Sequence, residues 1–310
     1  MTLPQVAFLC DAFELAALTL QRPLSLTELA KLFFPGQDLD EPIDFRDAAP
    51  STKLRDALGL AQARRRACGK AYPFDVGDRS IRARGIKGFD LYVFLLLGTA
   101  LDFGGPKNVD ELLRKFRTQF EDIVCWAMRK AGFVAEVLSE PRGRRGLPVQ
   151  LVPALRELVV RFGEAALLRE DKLQPEDNDL DVDILAVPLK GNTLRGGWPV
   201  FLVQCATGKL TDLQAKVDEG RNTFGSVWDN GFHTANSVRT GATPDDLLNL
   251  ADNHWNRLCS SGWILDRTRI AFLASQGEYP TAPRNVVRLW RRLWNAKGEI
   301  DWQTGWQQAE

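Results

Sequence analysis

The chain has 310 residues, 45% of them apolar, and its 40 Lys and Arg balance 40 Asp and Glu to a formal net charge of zero. That length allows one large domain or two ordinary ones, and the apolar share is enough for a substantial core. The charge balance excludes a global basic field, so any nucleic-acid surface is a local patch, and five cysteines without a CxxC spacing beside only two histidines argue against a structural zinc centre.

The first residues carry no basic stretch followed by an apolar core, and no apolar run in the chain is long enough to span a bilayer. A reduced, cytoplasmic protein with no membrane partner is therefore expected. Residues 4–20 read as a helix that stops before Arg22-Pro23. Ser25 and Glu28 have the spacing of a capping box, which opens a short helix to Phe34. A third helix is expected over 52–67, and Pro73 and Gly77 punctuate a small hairpin within 72–84. Three helices and a hairpin are the outline of a winged helix, so residues 1–104 are expected to form a mainly helical, winged-helix-like N-terminal domain. Arg64, Arg65 and Arg66 would close its third helix beside the wing, as a DNA-contacting patch or simply as a solvated helix end.

Asn108 and Glu111 form a second capping box, and Gly132 is the expected stop. Between them Leu112, Phe116, Phe120, Ile123 and Ala127 recur at helical spacing. Glu121 lies about 100° round from Phe120, at the edge of that stripe, where it can reach into a cleft or pair with Arg117 or Arg129. A strand is expected over 133–138. The loop that follows, SEPRGRRGLP, carries Arg142, Arg144 and Arg145 among glycines and prolines. Such arginines can meet phosphates bidentately, or sit in a solvated turn. A helix over 153–162 ends at Gly163, and Glu164 is the rival to Glu121.

Residues 182–189 and 200–205 are apolar runs joined by a Gly-rich turn, so they read as a β-hairpin. Asp179, Asp181 and Asp183 alternate, which on an extended strand puts their carboxylates on one face. Asp183 directly precedes Ile-Leu-Ala-Val and belongs to the strand; a carboxylate facing a core needs a partner or a metal. Asp181 is the alternative ligand, and Asp179 is read as too far into the loop. Gln204 is a polar residue between Val203 and Cys205 near the end of the second run. Lys209 follows, and Thr211 and Gln214 suggest a capping box that puts Lys216 on a helix starting near Asp212. An acid on one strand, an oxygen ligand on its neighbour and a nearby amine can hold Mg²⁺ and stabilise charge on a phosphate. Downstream, 245–258 and 286–294 read as helices, while 264–274 mixes strand character with LDRTRI. Trp290 and Trp294, with Arg288, Arg291 and Arg292 interleaved, suit packing on the core better than stacking on a single strand.

The pattern resembles the PD-(D/E)XK nuclease superfamily, the restriction-endonuclease-like fold, over roughly residues 105–275. That family places an Asp at the start of one strand and a Glu or Gln two residues before a Lys on the next, often with a Glu on a preceding helix in an FE pair. Asp183, Gln204 and Phe120-Glu121 fit these positions. The departure is Ala206 where the Lys usually stands, so Lys209 or Lys216 would supply the amine from the loop or the following helix. QCATGK and the LDR-x-R of residues 265–269 are similar to uncharacterised bacterial members.

The resemblance implies an α/β fold with a central mixed sheet flanked by helices, spanning 105–310 with its C-terminal helices. It also implies a Mg²⁺-dependent (or Mn²⁺-dependent) endonuclease hydrolysing phosphodiester bonds, with DNA the expected substrate. Asp183, Gln204, the backbone carbonyl of Cys205 and Glu121 would be the metal ligands. Stand-alone nucleases of this kind often serve restriction or anti-phage defence, which is compatible with a partner protein or a homodimer. The chain has no Walker motif, so an ATP-driven step would need a partner. Two other readings stay open: a catalytically inactive nuclease-fold protein acting as a DNA-binding or scaffold module, and a regulator working through the N-terminal domain.

Overall fold

The computed structural model describes residues 3–33, 49–84, 90–100, 109–164, 166–174, 177–188, 198–207, 210–229, 237–248, 250 and 252–275. The chain divides into two compact units, one of Met1–Arg117, Pro244–Asp252 and Arg267–Glu310, the other of Thr118–Thr243 and Asn253–Asp266. The units are therefore not consecutive along the chain, whereas the sequence reading places a single boundary after residue 104. Short segments far downstream carry side chains that complete the first core, and no local sequence signal marks them.

The first unit begins with α1 (Leu3–Leu20), β1 (Leu24–Ser25), α2 (Leu26–Phe33), α3 (Ala49–Cys68), the hairpin β2 (Phe74–Val76) and β3 (Ser80–Ala83), and α4 (Asp90–Ala100). The capping box forms as its residues dictate: Glu28 N–H donates to Ser25 Oγ at 3.3 Å, and Ser25 N–H donates to the Glu28 carboxylate at 2.8 Å. The three strands make an antiparallel sheet in the order β1-β3-β2. Leu9, Phe13 and Ala16 of α1 are fully buried, and Phe13 packs on Phe33 of α2 with ring centroids 5.3 Å apart.

Into this core the fold draws charge. Arg64 is fully buried and pairs with Asp11 at 2.6 Å, with Glu14 at 2.9 Å and with Asp246. Arg267 is equally buried and donates to both oxygens of Asp11 at 2.7 and 2.8 Å. The Tyr72 hydroxyl donates to Glu14 at 2.6 Å and that of Tyr92 at 3.0 Å. Burial alone would raise the Asp11 carboxyl, but Arg267 and Arg64 outweigh it and hold it down at about 2. Arg64 is thus a core counter-ion and presents no phosphate-binding face, which corrects its expected place in a surface patch. Arg65 and Arg66 are exposed, as expected.

The second unit is a five-stranded sheet in the order β4-β5-β6-β7-β8, with α5, whose residues from Thr118 on belong to this unit, before the first strand and α6 to α8 between the strands along the chain. The strands are β4 (Phe133–Val137), β5 (Ile184–Pro188), β6 (Val200–Cys205), β7 (Ser237–Ala242) and β8 (Trp263–Leu265). The helices are α5 (Val109–Lys130), α6 (Leu151–Arg161), α7 (Leu210–Ser226) and α8 (Asp252–Ser261). β4, β5 and β6 pair antiparallel, and β6, β7 and β8 pair parallel, so the sheet is mixed and the fold is α/β. The expected hairpin of β5 and β6 is present. A buried cluster joins Leu155 and Leu158 of α6, Leu185 of β5, Leu202 of β6, and Phe224 of α7 with Trp228.

After β8 the chain turns into α9 (Arg267–Ala274), which supplies Arg267 to the first unit. The helix expected over 245–258 is confined to α8. The C-terminal helix expected over 286–294 lies outside the described residues, as does Lys209. Among the described residues no helix is long and apolar enough to cross a membrane.

Candidate metal and phosphate site

Asp183 stands just before β5 and is locked by backbone bonds on both sides. Its N–H donates to the Val203 carbonyl at 3.0 Å, and its carbonyl accepts from Leu138 N–H at 2.8 Å. With Ile184 paired to Val203, the next residues outward are Asp183 and Gln204, at the same level on adjacent strands. The Asp183 carboxylate turns along the strand end, where its Oδ2 accepts the Cys205 N–H at 2.6 Å. Gln204 is only 6% exposed and pairs with Gly241 in the parallel register.

Gly241 matters for where α7 lies. A Cβ there would meet Leu213 at 2.8 Å and Val217 at 3.0 Å, so only glycine lets those two side chains rest on the sheet. That contact fixes the face of α7 next to Lys216. Lys216 is exposed, yet close enough to Asp183 to favour its ionised form.

Glu121 reaches the same place from α5. Its carboxylate accepts from the Ser139 hydroxyl and pairs with Arg145 at 3.1 Å. Burial pushes the Glu121 carboxyl up to about 7, and the nearby negative charge of Asp183 adds to the rise against the pull of Ser139 and Arg145. Burial likewise lifts Asp183 to about 6, against the hydrogen bond from Cys205. Of the two rival glutamates it is Glu121 that senses Asp183; Glu164 sits beyond Gly163 at the C-terminal end of α6, its N–H bonded to the Val159 carbonyl.

The acidic approach to β5 departs from the expected alternation. Leu180 and Asp181 both have φ near +56°, so the segment is a turn rather than an extended strand. Asp181 swings out to accept from the Thr223 hydroxyl at 2.9 Å on α7. Asp179, read from sequence as too remote, is the one whose charge raises the Asp183 carboxyl.

The loop arginines also change roles. Arg142 is 3% exposed and donates to the carbonyls of Leu138 at 2.9 Å, Val149 at 3.1 Å and Asn178. It braces the loop against the turn before Asp183 and has no face left for a phosphate. Arg145 pairs with Asp122 at 2.7 Å as well as with Glu121, and donates to the carbonyls of Thr118 at 2.8 Å and Ser139 at 3.0 Å. It is the counter-ion of the acidic centre. Arg144 alone of the three is exposed. Sequence reasoning missed Ser139 and the roles of Arg142 and Arg145, because their partners are backbone carbonyls and an acid on another element.

The residues suit a hard divalent cation. Two carboxylates held above their ordinary range by burial, Glu121 also by the charge of Asp183 and Asp183 also by that of Asp179, are relieved by positive charge, and Mg²⁺ ordinarily takes only one or two protein carboxylates. Among the described residues no group of three or more His, Cys, Asp and Glu comes together as a metal site. No protein-family model, curated protein or solved structure matches this chain.

Proposed function

We propose that the chain is a metal-dependent nuclease of the PD-(D/E)XK type that hydrolyses phosphodiester bonds, with DNA as its substrate and restriction or anti-phage defence as its setting. The observation that carries this reading is the Asp183 carboxylate at a strand head, held by the Cys205 N–H at 2.6 Å, with Glu121 of α5 and Lys216 of α7 near enough for charge to be felt between them. The mixed sheet flanked by helices is the scaffold that the resemblance calls for. Asp183 and Glu121 would hold Mg²⁺ or Mn²⁺, with the Gln204 amide and the Cys205 carbonyl as further oxygen donors. Bound there, the metal supplies Lewis-acid polarisation of the phosphate and acidifies water.

The protein's own groups do the rest. The Cys205 N–H fixes one oxygen of Asp183 and leaves the other for the ligand. Ser139 and Arg145 aim Glu121, whose raised pKa lets it hold or release a proton near neutrality. Lys216 offers positive charge to the developing oxyanion from the exposed side of α7. The test is Mg²⁺-dependent cleavage of plasmid and linear duplex by the full chain, abolished by EDTA and by Asp183→Asn.

Ala206 favours a second reading. It is buried at 2% exposure where the family usually has its lysine. A chain that binds DNA without cleaving it, and whose binding survives Asp183→Asn and ignores Mg²⁺, is an inactive nuclease-fold module.

A further inference from the structure

The turn that leads into β5 is strained, and one buried arginine holds it. The Val182 N–H donates to the Asp179 carbonyl at 3.1 Å, which closes a turn over Asp179, Leu180, Asp181 and Val182. Both central residues, Leu180 and Asp181, have φ of +56°. Positive φ at both central positions with that closing bond is the pattern of a type I′ turn, whose usual occupants there are Asn, Asp and Gly. Asp181 suits its place, and its N–H also donates to Asp179 Oδ1 at 3.2 Å. Leu180 does not, because a bulky side chain in the left-handed region is a genuine outlier.

An outlier of this kind persists only where its surroundings impose it, and such residues gather at functional sites. Two surroundings impose it here. Leu180 is 2% exposed and belongs to the buried cluster of Leu155 and Leu158, so apolar burial offsets part of the strain. Arg142 supplies the rest. Its Nη1 donates to the Leu138 carbonyl at 2.9 Å and also to the Asn178 carbonyl. Asn178 is where the chain enters the turn. Leu138 holds the residue that follows the turn, since its N–H donates to the Asp183 carbonyl at 2.8 Å. Entrance and exit are thus fastened to the same residue of the chain. The remaining nitrogens are engaged as well, Nε with the Val149 carbonyl at 3.1 Å and Nη2 with Glu140 at 2.7 Å.

We infer that Arg142 is a positioning residue for the cation site: by holding the strained turn closed, it fixes where β5 begins and so where Asp183 presents its carboxylate. A turn released from Arg142 spends part of its time in other conformations, and the apparent cation affinity falls in proportion to the competent fraction. The inference deepens the nuclease reading and rests on Asp183 holding a divalent cation.

The experiment is Mn²⁺ binding to the full chain, followed by electron paramagnetic resonance, beside a thermal melt in metal-free buffer. Arg142→Lys keeps the charge, but a single amine cannot serve the carbonyls of Leu138, Val149 and Asn178 together. It should weaken Mn²⁺ binding by about tenfold or more, as loss of a residue supporting a metal ligand does. Asp181→Gly and Asp181→Ala, each added to Arg142→Lys, then separate positioning from mere folding. Both remove the same carboxylate and the same bond to Thr223, yet only glycine takes a positive φ without strain. Glycine should recover part of the Mn²⁺ affinity and alanine none. Affinity at or above the parent's in a folded Arg142→Lys chain overturns the inference. Equal affinities in the two double variants overturn it too, as does parental Mn²⁺ binding that survives Asp183→Asn. If Arg142→Lys does not fold at the assay temperature, Asp181→Gly and Asp181→Ala in the parent read the same turn: alanine should bind Mn²⁺ more weakly, and equal binding overturns the inference. The two readings fail separately. Arg142-dependent Mn²⁺ binding in a chain that cleaves no DNA removes only the nuclease. Unaltered Mn²⁺ binding in Arg142→Lys with DNA cleavage intact removes only the positioning role.

Discussion

The backbone N–H of Cys205 donates to Oδ2 of Asp183 at 2.6 Å, tying the end of β6 to the head of β5. An amide oxygen can accept the same bond, so Asp183→Asn keeps the contact and removes only the charge. We expect that variant to lose Mg²⁺-dependent cleavage entirely. Its thermal midpoint should stay level or rise, because a carboxylate that burial holds at a raised pKa is no longer there to be desolvated. Plasmid cleavage and calorimetry read the two outcomes, and a fully active Asp183→Asn protein would move the chemistry elsewhere.

Asp183 and Glu121 both bind their protons more tightly in the folded chain, at about 6 and about 7 against ordinary values of 3.8 and 4.5. Their contribution to stability is thus full below the ordinary values and is lost as pH rises from about 4 through about 7. The difference in midpoint between the parent and an Asp183→Asn/Glu121→Gln protein should grow steadily across that window in metal-free buffer. Mg²⁺ added near the top of the window should raise the parent's midpoint and release protons. A difference that does not change with pH would show that these carboxyls do not titrate as a buried pair.

What the sequence made legible is what local pattern controls. The Ser25–Glu28 capping box, the helix stop at Gly132 with φ +90°, and the paired runs of β5 and β6 follow from spacing and residue type. So does the place of Asp183 at a strand head. What stayed hidden depends on partners far away in the chain. Arg64 is identical in sequence character to Arg65 and Arg66, and only the approach of Asp11, Glu14 and Asp246 decides that it is buried. The alternation of Asp179, Asp181 and Asp183 looks like a strand because nothing local reports the positive φ of Leu180 and Asp181.

The buried charges of the first unit give a stability test. Arg64→Ala strands Asp11, Glu14 and Asp246 beside Arg267 alone, and removing one partner of a buried ion pair costs roughly 3–5 kcal/mol. Arg65→Ala and Arg66→Ala, at exposed positions, should stay within about 0.5 kcal/mol of the parent. Urea unfolding of the three variants separates these cases. Equal, small effects would contradict the burial of Arg64.

Lys216 is the described lysine that senses Asp183. If its charge stabilises the transition state, Lys216→Ala should lower kcat by about 10²–10³ while leaving KM little changed. Lys216→Arg should restore part of the loss, because it keeps the charge and alters its geometry. Steady-state cleavage of an oligonucleotide duplex gives both constants. A Lys216→Ala protein with parental kcat would transfer the role to Lys209 or leave the centre without an amine.

Arg145 provides the last test, because its effect has a sign that a merely structural residue would not produce. Its guanidinium pairs with Glu121 and Asp122, and it pulls the Glu121 carboxyl down against the burial that raises it to about 7. Removing that cation leaves burial and the charge of Asp183 unopposed, apart from the Ser139 hydroxyl. The Glu121 carboxyl should then rise further, and a larger share of it should be protonated at neutral pH. If ionised Glu121 is needed, the acid limb of the kcat/KM profile should move to higher pH in Arg145→Ala, and activity should recover as the medium becomes more alkaline. Arg145→Lys, which keeps the charge but cannot reproduce the bonds to Thr118 and Ser139, should shift the limb less. Uniform loss of activity at every pH, with no displacement of the limb, would assign Arg145 to holding the loop rather than to setting the charge of Glu121.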